Sequence, residues 1–85
     1  MSAAVSFRKR ISLSRRDELR IELTRWRGVD LLNIRRWSMN GDGKFVPTKK
    51  GVAVSVRHVA DVEQAVKQAR RRAKLMGLLP PGGAR

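Results

Sequence analysis

The sequence predicts an α+β fold in which antiparallel strands are followed by one C-terminal helix. Two segments, residues 19–26 and 30–37, alternate apolar with polar side chains, which is the pattern of half-buried strands. Between Val59 and Met76, small and apolar residues recur at spacings of three and four, which is typical of one side of a helix. The strands therefore come first, and the helix completes the domain.

The two clear strands share an unusual feature on their polar side. The first has aliphatic residues on one side, and Trp26 continues the other, polar side. The pair Arg27 and Gly28 can close a short hairpin to the second strand. In that second strand Arg35 and Trp37 again share the less apolar side. Aromatic and basic residues together on the solvent-facing side of neighbouring strands are a first indication of a binding surface.

Turn and edge signals complete the sheet. The run NGDG at residues 40–43 is a strong turn signal, and Pro47 suits an edge strand or a bulge. Residues 52–54 form a short apolar end to the sheet. The expected organisation is a basic arm or the start of the first strand over residues 1–10, a single domain over residues 11–76, and a flexible tail over residues 77–85.

The helix predicts self-association. Ser55 is the expected N-cap, and Gly77 lies just past the helix end. The apolar residues form a narrow row along the helix, called here the seam, which suits packing against a partner helix. The sequence predicts no second helix in the same chain. A chain of 85 residues also buries little surface alone, and without cysteine it has no disulfide to stabilise it. We therefore expect a homodimer whose interface is formed by Val59, Val62, Val66, Ala69 and Ala73.

The charge balance indicates a polyanionic partner. Twenty Lys and Arg stand against seven Asp and Glu, a net charge of +13, which points to nucleic acid. The chain has one histidine, no cysteine and no recognisable acid pair, nucleophile motif or phosphate loop, so we expect neither an enzyme nor a metal or cofactor site. No segment approaches the ~20 apolar residues of a membrane span, so we expect no membrane contact.

The candidate binding residues combine aromatic and basic side chains on one face. They are Trp26, Arg35 and Trp37, with Lys49 and Lys50 on the next segment. Exposed bases stack on flat rings while Lys and Arg contact phosphates, so the combination suits single-stranded nucleic acid. Two roles stay open for the tryptophans, stacking on bases or packing in the core. The basic runs within residues 8–16 and 67–74 are either phosphate contacts or solvated surface.

These residues also resemble a known family. The runs are LRIELTRWRG over residues 19–28, LNIRRW over 32–37 and PTKKGV over 47–52. They are similar to the C-terminal domain of the transcriptional coactivator positive cofactor four and to its short bacterial and phage relatives. The similarity extends over roughly residues 11–70, and the pairing of an Ile-Arg strand with a Pro-x-Lys-Lys-Gly turn is fairly specific.

The resemblance implies a curved four-stranded antiparallel sheet followed by one helix, paired through the helices into a homodimer that binds single-stranded DNA along its sheets. It also implies roles for individual residues. Trp26 matches the stacking aromatic before the hairpin glycine, Arg35 the strand arginine, and Lys50 the lysine before the glycine of the turn. Lys49 matches a basic neighbour, and Ser38 replaces a second stacking tryptophan of the eukaryotic members.

Residues and resemblance together predict a sequence-tolerant single-stranded-DNA-binding protein acting in transcription regulation, replication or repair. The expected nucleic-acid-binding residues are Arg20, Trp26, Arg35, Trp37, Lys49 and Lys50. RNA, melted duplex and the transcription machinery are further candidate partners. The alternatives are a transcription cofactor acting mainly by protein contacts and a duplex-coating architectural protein. The expected location is a bacterial cytoplasm and nucleoid or a phage-infected cell, and the nucleus for a eukaryotic source.

Overall fold

The computed structural model describes residues 4–80, which form a four-stranded antiparallel sheet followed by a helix. The elements are β1 (Ala4–Ser12), β2 (Asp17–Trp26), β3 (Val29–Met39), β4 (Phe45–Ser55), a 3-10 turn (Val56–His58) and α1 (Val59–Leu75). The strands lie across the sheet in chain order, and each pairs with its neighbour in sequence. The predicted α+β class, with strands first and one C-terminal helix last, is confirmed.

Strand β1 includes most of the basic N-terminal segment. Residues 4–10, for which the sequence left open an arm or the start of a strand, lie in β1 and pair with β2. A register shift between Val5 and Phe7 marks a bulge near the beginning of the strand. Residues 1–3 and residues 81–85 of the expected tail lie outside the described residues.

Two residues with positive φ join β2 to β3. Arg27 has a φ of 51° and Gly28 a φ of 77°, and positive φ at both central residues is the mark of a type I′ turn, whose twist matches that of the strands it joins. Glycine adopts this conformation without steric cost. The predicted hairpin is confirmed, and Trp26 lies directly beside its turn.

Asn40 organises the predicted turn between β3 and β4. Its Oδ1 accepts hydrogen bonds from the N–H of Asp42 at 2.9 Å and from the N–H of Lys44 at 3.1 Å. Its own N–H donates to the Lys44 carbonyl at 2.8 Å. The side chain thus replaces backbone partners that the turn lacks, which is why asparagine favours this position.

The beginning of the helical region differs from the prediction by one tight turn. The Ser55 hydroxyl accepts a hydrogen bond from the Arg57 N–H at 3.4 Å, so it caps the 3-10 turn rather than α1. The Val59 N–H bonds to the Val56 carbonyl, the i to i+3 pattern of a 3-10 turn, and the α-helix begins only at Val59.

The predicted helix end is confirmed. Gly77 has a φ of 71°. The Leu78 N–H donates to the Ala73 carbonyl at 2.9 Å and the Gly77 N–H to the Lys74 carbonyl at 3.1 Å. These two bonds form a Schellman motif, which satisfies the last free carbonyls of α1 and requires a left-handed residue that glycine supplies best.

No apolar side chain is fully buried within residues 4–80. The pairing register places most of the large apolar residues of the four strands on one side of the sheet, called here the aliphatic face. It consists of Phe7, Ile11, Leu19, Ile21, Leu23, Leu32, Ile34, Val46, Val52 and Val54. Helix α1 makes no extensive contact with any strand, so it leaves this face largely uncovered. Within the described part of the chain, no helix is long and apolar enough to cross a membrane.

Candidate nucleic-acid interface

The opposite side of the sheet carries both tryptophans and a row of charged residues, and it is called here the tryptophan face. Side chains that pair across neighbouring strands lie on the same side, so the register assigns each residue to a face. The characteristic residues of this side are Arg8, Arg10, Glu18, Arg20, Glu22, Trp26, Arg35 and Trp37. The predicted sharing of one side by Arg35 and both tryptophans agrees with this register.

Arg20 is the centre of a compact cluster on the tryptophan face. Its guanidinium carbon lies 3.7 Å from the centroid of the Trp37 ring, a cation–π contact. Its Nε donates to a carboxylate oxygen of Glu18, and this acid, at 8% exposure, is one of the most buried residues within 4–80. Glu18 and Trp37 are cross-strand partners. The arginine is therefore held between an acid and an indole ring on adjacent strands.

Arg35 helps to build a bulge in β4. Trp37 pairs with Pro47 and Arg35 with Gly51, which leaves residues 48–50 opposite Arg36 alone. The Arg35 Nη1 donates to the Thr48 carbonyl at 2.8 Å. The Thr48 hydroxyl donates to the Arg36 carbonyl at 2.7 Å and accepts from the Lys50 N–H at 3.1 Å. These bonds fix the backbone that carries Lys49 and Lys50.

Gly51 permits the close approach of β4 to β3 beside this bulge. A Cβ atom at this position would lie 2.8 Å from the Ile34 carbonyl oxygen and 3.0 Å from the Arg35 Cα. Both contacts are with backbone atoms, which cannot move away cheaply. The glycine is therefore required by packing, and Lys49 and Lys50 project as exposed residues just before it. Pro47 lies on the edge strand, as the sequence predicts.

Trp26 lies at a separate corner of the tryptophan face. It is 45% exposed, beside the β2–β3 turn, and the Arg27 guanidinium carbon lies 4.5 Å from its ring centroid. Trp37 pairs with Glu18 near the other end of β2. The eight residue-to-residue steps from Glu18 to Trp26 span about 27 Å at ~3.4 Å per step. The two rings thus mark opposite ends of one surface.

The structure therefore brings only part of the predicted set into contact. Arg20, Arg35 and Trp37 lie together toward the end of the β2–β3 pair that is opposite the hairpin turn, and Lys49 and Lys50 follow on the neighbouring edge strand. The remaining predicted residue, Trp26, lies at the hairpin corner.

Sequence reasoning missed Glu18 and Glu22 as part of the surface. Glu22 pairs with Arg8, just as Glu18 pairs with Arg20. The signal was present, because both acids alternate with the aliphatic residues of β2 just as Arg20 does. Arg8 and Arg10, which were expected to be in an arm or a first strand, share this face through their pairing with Glu22 and Arg20.

The predicted dimer-interface residues all lie within α1. Val59, Val62 and Ala73 are half-buried in the single chain, whereas Val66 and Ala69 are exposed. Val66 is 62% exposed, which is high for a valine. The helix thus presents part of its apolar seam to solvent in the isolated chain.

Asp17 joins the start of β2 to the end of β3 through side-chain hydrogen bonds on the aliphatic face. Its carboxylate accepts hydrogen bonds from the Ser38 hydroxyl, from the Arg36 Nη2 at 3.2 Å and from the Ser14 hydroxyl at 3.3 Å. The Ser38 hydrogen bond, followed by the bond from Arg36, lowers the pKa of this carboxyl below its ordinary value. Asp17 is therefore a structural acid.

Residues 4–80 contain no group of three or more His, Asp or Glu side chains close enough to hold a metal ion.

Comparison with known proteins agrees with this architecture. The model of the family Transcriptional Coactivator p15 (PC4) matches residues 8–65. A PC4 homologue from Burkholderia pseudomallei K96243, in its orthorhombic crystal form, superposes with a TM-score of 0.72 at 27% sequence identity, covering 82% of this chain and 92% of that one. Its tetragonal form gives a TM-score of 0.71 at 26% identity, covering 81% and 98%.

A phage protein shares the fold at lower identity. The bacteriophage T5 homologue of the eukaryotic transcription coactivator PC4, implicated in recombination-dependent DNA replication, has a TM-score of 0.57 at 18% identity, and the match covers 84% of this chain and 83% of that one. Comparison with curated protein sequences gives no significant match. The family match spans most of the chain, including all of the bulge and both tryptophans, and the chain therefore belongs to the Transcriptional Coactivator p15 (PC4) family.

Proposed function

We propose that the protein binds single-stranded DNA, with little sequence preference, along the tryptophan face. The observation that carries this proposal is the presence of two tryptophans and several basic residues on one side of the sheet, with most of the aliphatic residues on the other. Single strands need this combination, because every base has a flat surface that can stack on an aromatic ring and every nucleotide has a phosphate.

Each part of the tryptophan face has a distinct role in this proposal. Trp26, exposed at the hairpin corner, stacks on a base, and Arg27 moves aside from its ring at little cost because both groups are at the surface. Lys49 and Lys50 contact phosphates from the bulge of the edge strand. Arg20 and Trp37 form a preassembled cluster at the end of the surface opposite Trp26, so a strand that contacts both rings runs along the whole face.

The two acids on this face do not oppose the proposal. Glu18 and Glu22 are each paired with an arginine of the same face, so their charges are compensated locally. Arg10 and Arg35 have no acidic partner within residues 4–80, and the two exposed lysines add to the positive charge. The surface as a whole is therefore attractive to phosphate.

We also infer that the active form is a homodimer paired through α1. A chain in which no apolar side chain is buried gains too little from hydrophobic burial to stay folded alone. The seam on α1 and the aliphatic face are both uncovered in the single chain. A second copy offers the same two surfaces in complementary positions and buries them together.

The rival reading, a transcription cofactor that acts by contacting acidic protein surfaces, requires charge alone. An exposed tryptophan at the hairpin corner favours nucleic acid, because base stacking uses the ring directly. Duplex coating as the main activity likewise needs charge but no exposed ring.

Binding to fluorescently labelled oligo-dT, a hairpin duplex of the same length and oligo-U, measured across a salt series, tests the proposal. We expect oligo-dT to stay bound at salt concentrations that release the duplex, and to quench tryptophan fluorescence. The affinity for oligo-U measures the preference between DNA and RNA. Failure to bind oligo-dT, or tighter binding of the duplex at all salt concentrations, would refute the proposal.

A further inference from the structure

Helix α1 carries a second basic surface, which differs from the tryptophan face in having no aromatic residue. Lys67, Arg70, Arg71 and Lys74 border one shallow depression on the helix and are called here the helix ridge. Their spacings of three, four and seven place them along one side of the helix. The neighbouring Arg72 lies on another side of the helix and does not border the depression.

The charges of the helix ridge are mostly uncompensated. Lys67 lies 3.9 Å from the Glu63 carboxylate, one turn earlier. In the described part of the chain, Arg70, Arg71 and Lys74 have no acidic side chain within ion-pair distance. Like charges this close repel one another and attract counterions, and a polyanion that replaces those counterions gains free energy from their release.

The helix ridge stays accessible when the seam is covered. At 100° per residue, the ridge is centred about 100° around the helix from the seam of Val59, Val62 and Val66. A partner helix on the seam therefore leaves Lys67, Arg71 and Lys74 facing outward, with Arg70 at the border of the contact. The same geometry places two ridges on the outside of a homodimer.

Stabilisation of the helix dipole does not account for the ridge. Cations favour the last turn of a helix, and in α1 the basic residues of that turn are Arg72 and Lys74. Lys67, Arg70 and Arg71 lie before it, where the dipole effect has fallen off.

The chemistry of the ridge fits a double-stranded rather than a single-stranded ligand. It contains no aromatic residue, so it offers no stacking for unpaired bases. A duplex presents paired bases, whose faces are inaccessible, and a high density of charge, with one phosphate per ~1.7 Å of its axis. We propose that the helix ridge binds the phosphate backbone of duplex nucleic acid, so that one protein contacts a single strand through its sheet and a duplex through its helix.

The experiment compares a ridge variant with a variant of equal charge. In the full-length protein, Arg70→Gln, Arg71→Gln and Lys74→Gln are combined, since glutamine is a good helix former. The control combines Lys44→Gln, Arg57→Gln and Arg72→Gln, which remove three charges outside the ridge and the tryptophan face. Affinity for a blunt hairpin duplex and for oligo-dT is measured by fluorescence anisotropy across a salt series, with helix content checked by circular dichroism.

We expect the ridge variant to lose at least tenfold in duplex affinity at low salt, with a salt slope shallower by about 0.9 per lost contact. The control should lose much less, and oligo-dT affinity should change less than threefold in both. Equal losses in the two variants, no loss in the ridge variant, or no duplex binding by the wild type would overturn the proposal. Failure of oligo-dT binding would refute only the proposed sheet function, because the duplex comparison does not involve the tryptophan face.

Discussion

The guanidinium of Arg20 lies over the indole ring of Trp37, with 3.7 Å between its central carbon and the ring centroid. The Glu18 carboxylate accepts a hydrogen bond from the Nε of the same guanidinium, and both partners of this ion pair are largely shielded from solvent. One side of the Trp37 ring is thus occupied by a fixed cation of the same chain. Under the proposed function, we therefore expect Trp37 to serve mainly the sheet structure and Trp26 to be the ring that stacks on a base.

Replacement of Trp26 tests this division of roles. Trp26→Ala should weaken oligo-dT binding by about 1–3 kcal/mol, the contribution of one stacked base, and leave the melting temperature nearly unchanged. Trp37→Ala should lower the melting temperature clearly, because Arg20 loses its contact and the sheet loses a half-buried ring. Anisotropy titrations and thermal melting measure the two effects.

Val29 supplies the matched control for Trp26. It is the cross-strand partner of Trp26 on the same face and is similarly exposed. Val29→Ala removes apolar surface but no aromatic ring, so oligo-dT affinity should be nearly unchanged. Unfolding of the protein by Trp26→Ala, with no separate effect on binding, would contradict the proposed stacking role.

The two lysines of the bulge are expected to contact phosphates. Lys49→Gln combined with Lys50→Gln should make the slope of log affinity against log salt shallower by about 0.7 per lost contact, with oligo-dT as the ligand. Lys44→Gln, in the turn before β4, is the control and should have a smaller effect. An unchanged slope in the double variant would exclude the bulge from the DNA path.

Gly51 should be intolerant of any side chain. Gly51→Ala places a Cβ 2.8 Å from the Ile34 carbonyl oxygen, so the strands must separate, at a cost of about 1–3 kcal/mol in the free energy of unfolding. Gly41→Ala, where no atom lies within 4 Å of the new Cβ, is the control. Chemical denaturation of both variants measures the difference, and equal stability of the two would show that the bulge is not packed this tightly.

The sheet could be predicted from the sequence because its determinants are local. Alternation in β2 and β3, the Arg27-Gly28 turn and the Asn40 turn each depend on a few neighbouring residues. The end of the helix could also be predicted, because Gly77 adopts a left-handed backbone conformation that few other residues adopt.

The arrangement of the site could not be predicted in the same way. Whether Trp37 contacts Arg20 or a base depends on which residues face each other across β2 and β3, and therefore on register. The bulge depends on hydrogen bonds from Thr48 and Arg35, which no local propensity reveals. The predicted helix start was wrong because Ser55 caps a 3-10 turn. A serine hydroxyl can cap a 3-10 turn or an α-helix, so the residue type alone does not show which of the two follows.

The homodimer inference predicts opposite results on two sides of α1. Val62→Asp or Val66→Asp buries an unpaired charge in the proposed interface and should give monomeric or unfolded protein. Leu75 lies about two and a half turns from Val66 and is 80% exposed, so Leu75→Asp should leave the assembly unchanged. Multi-angle light scattering measures the mass in each case. A wild-type monomer at micromolar concentration would refute the inference.

The lowered pKa of Asp17 leads us to expect a specific dependence of the free energy of unfolding on pH. Its pKa in the folded chain is lowered, chiefly by the Ser38 hydrogen bond and then by Arg36. The charged form is therefore favoured by folding, and its contribution to stability is complete above the unfolded pKa of about 3.9. As the pH falls below that value and through the lower folded pKa, the contribution is lost.

Asp17→Asn should accordingly lower the stability at neutral pH and remove part of the acid sensitivity below pH ~4. Ser38→Ala, which keeps the carboxyl but removes the main cause of the shift, should reduce the same acid sensitivity by a smaller amount. Asp42→Asn, in the exposed β3–β4 turn, is the control. Denaturant midpoints at pH 7 and at several values between 2.5 and 4.5 measure these effects. An acid dependence that is identical in Asp17→Asn and the wild type would show that this carboxylate does not join the two strands as described.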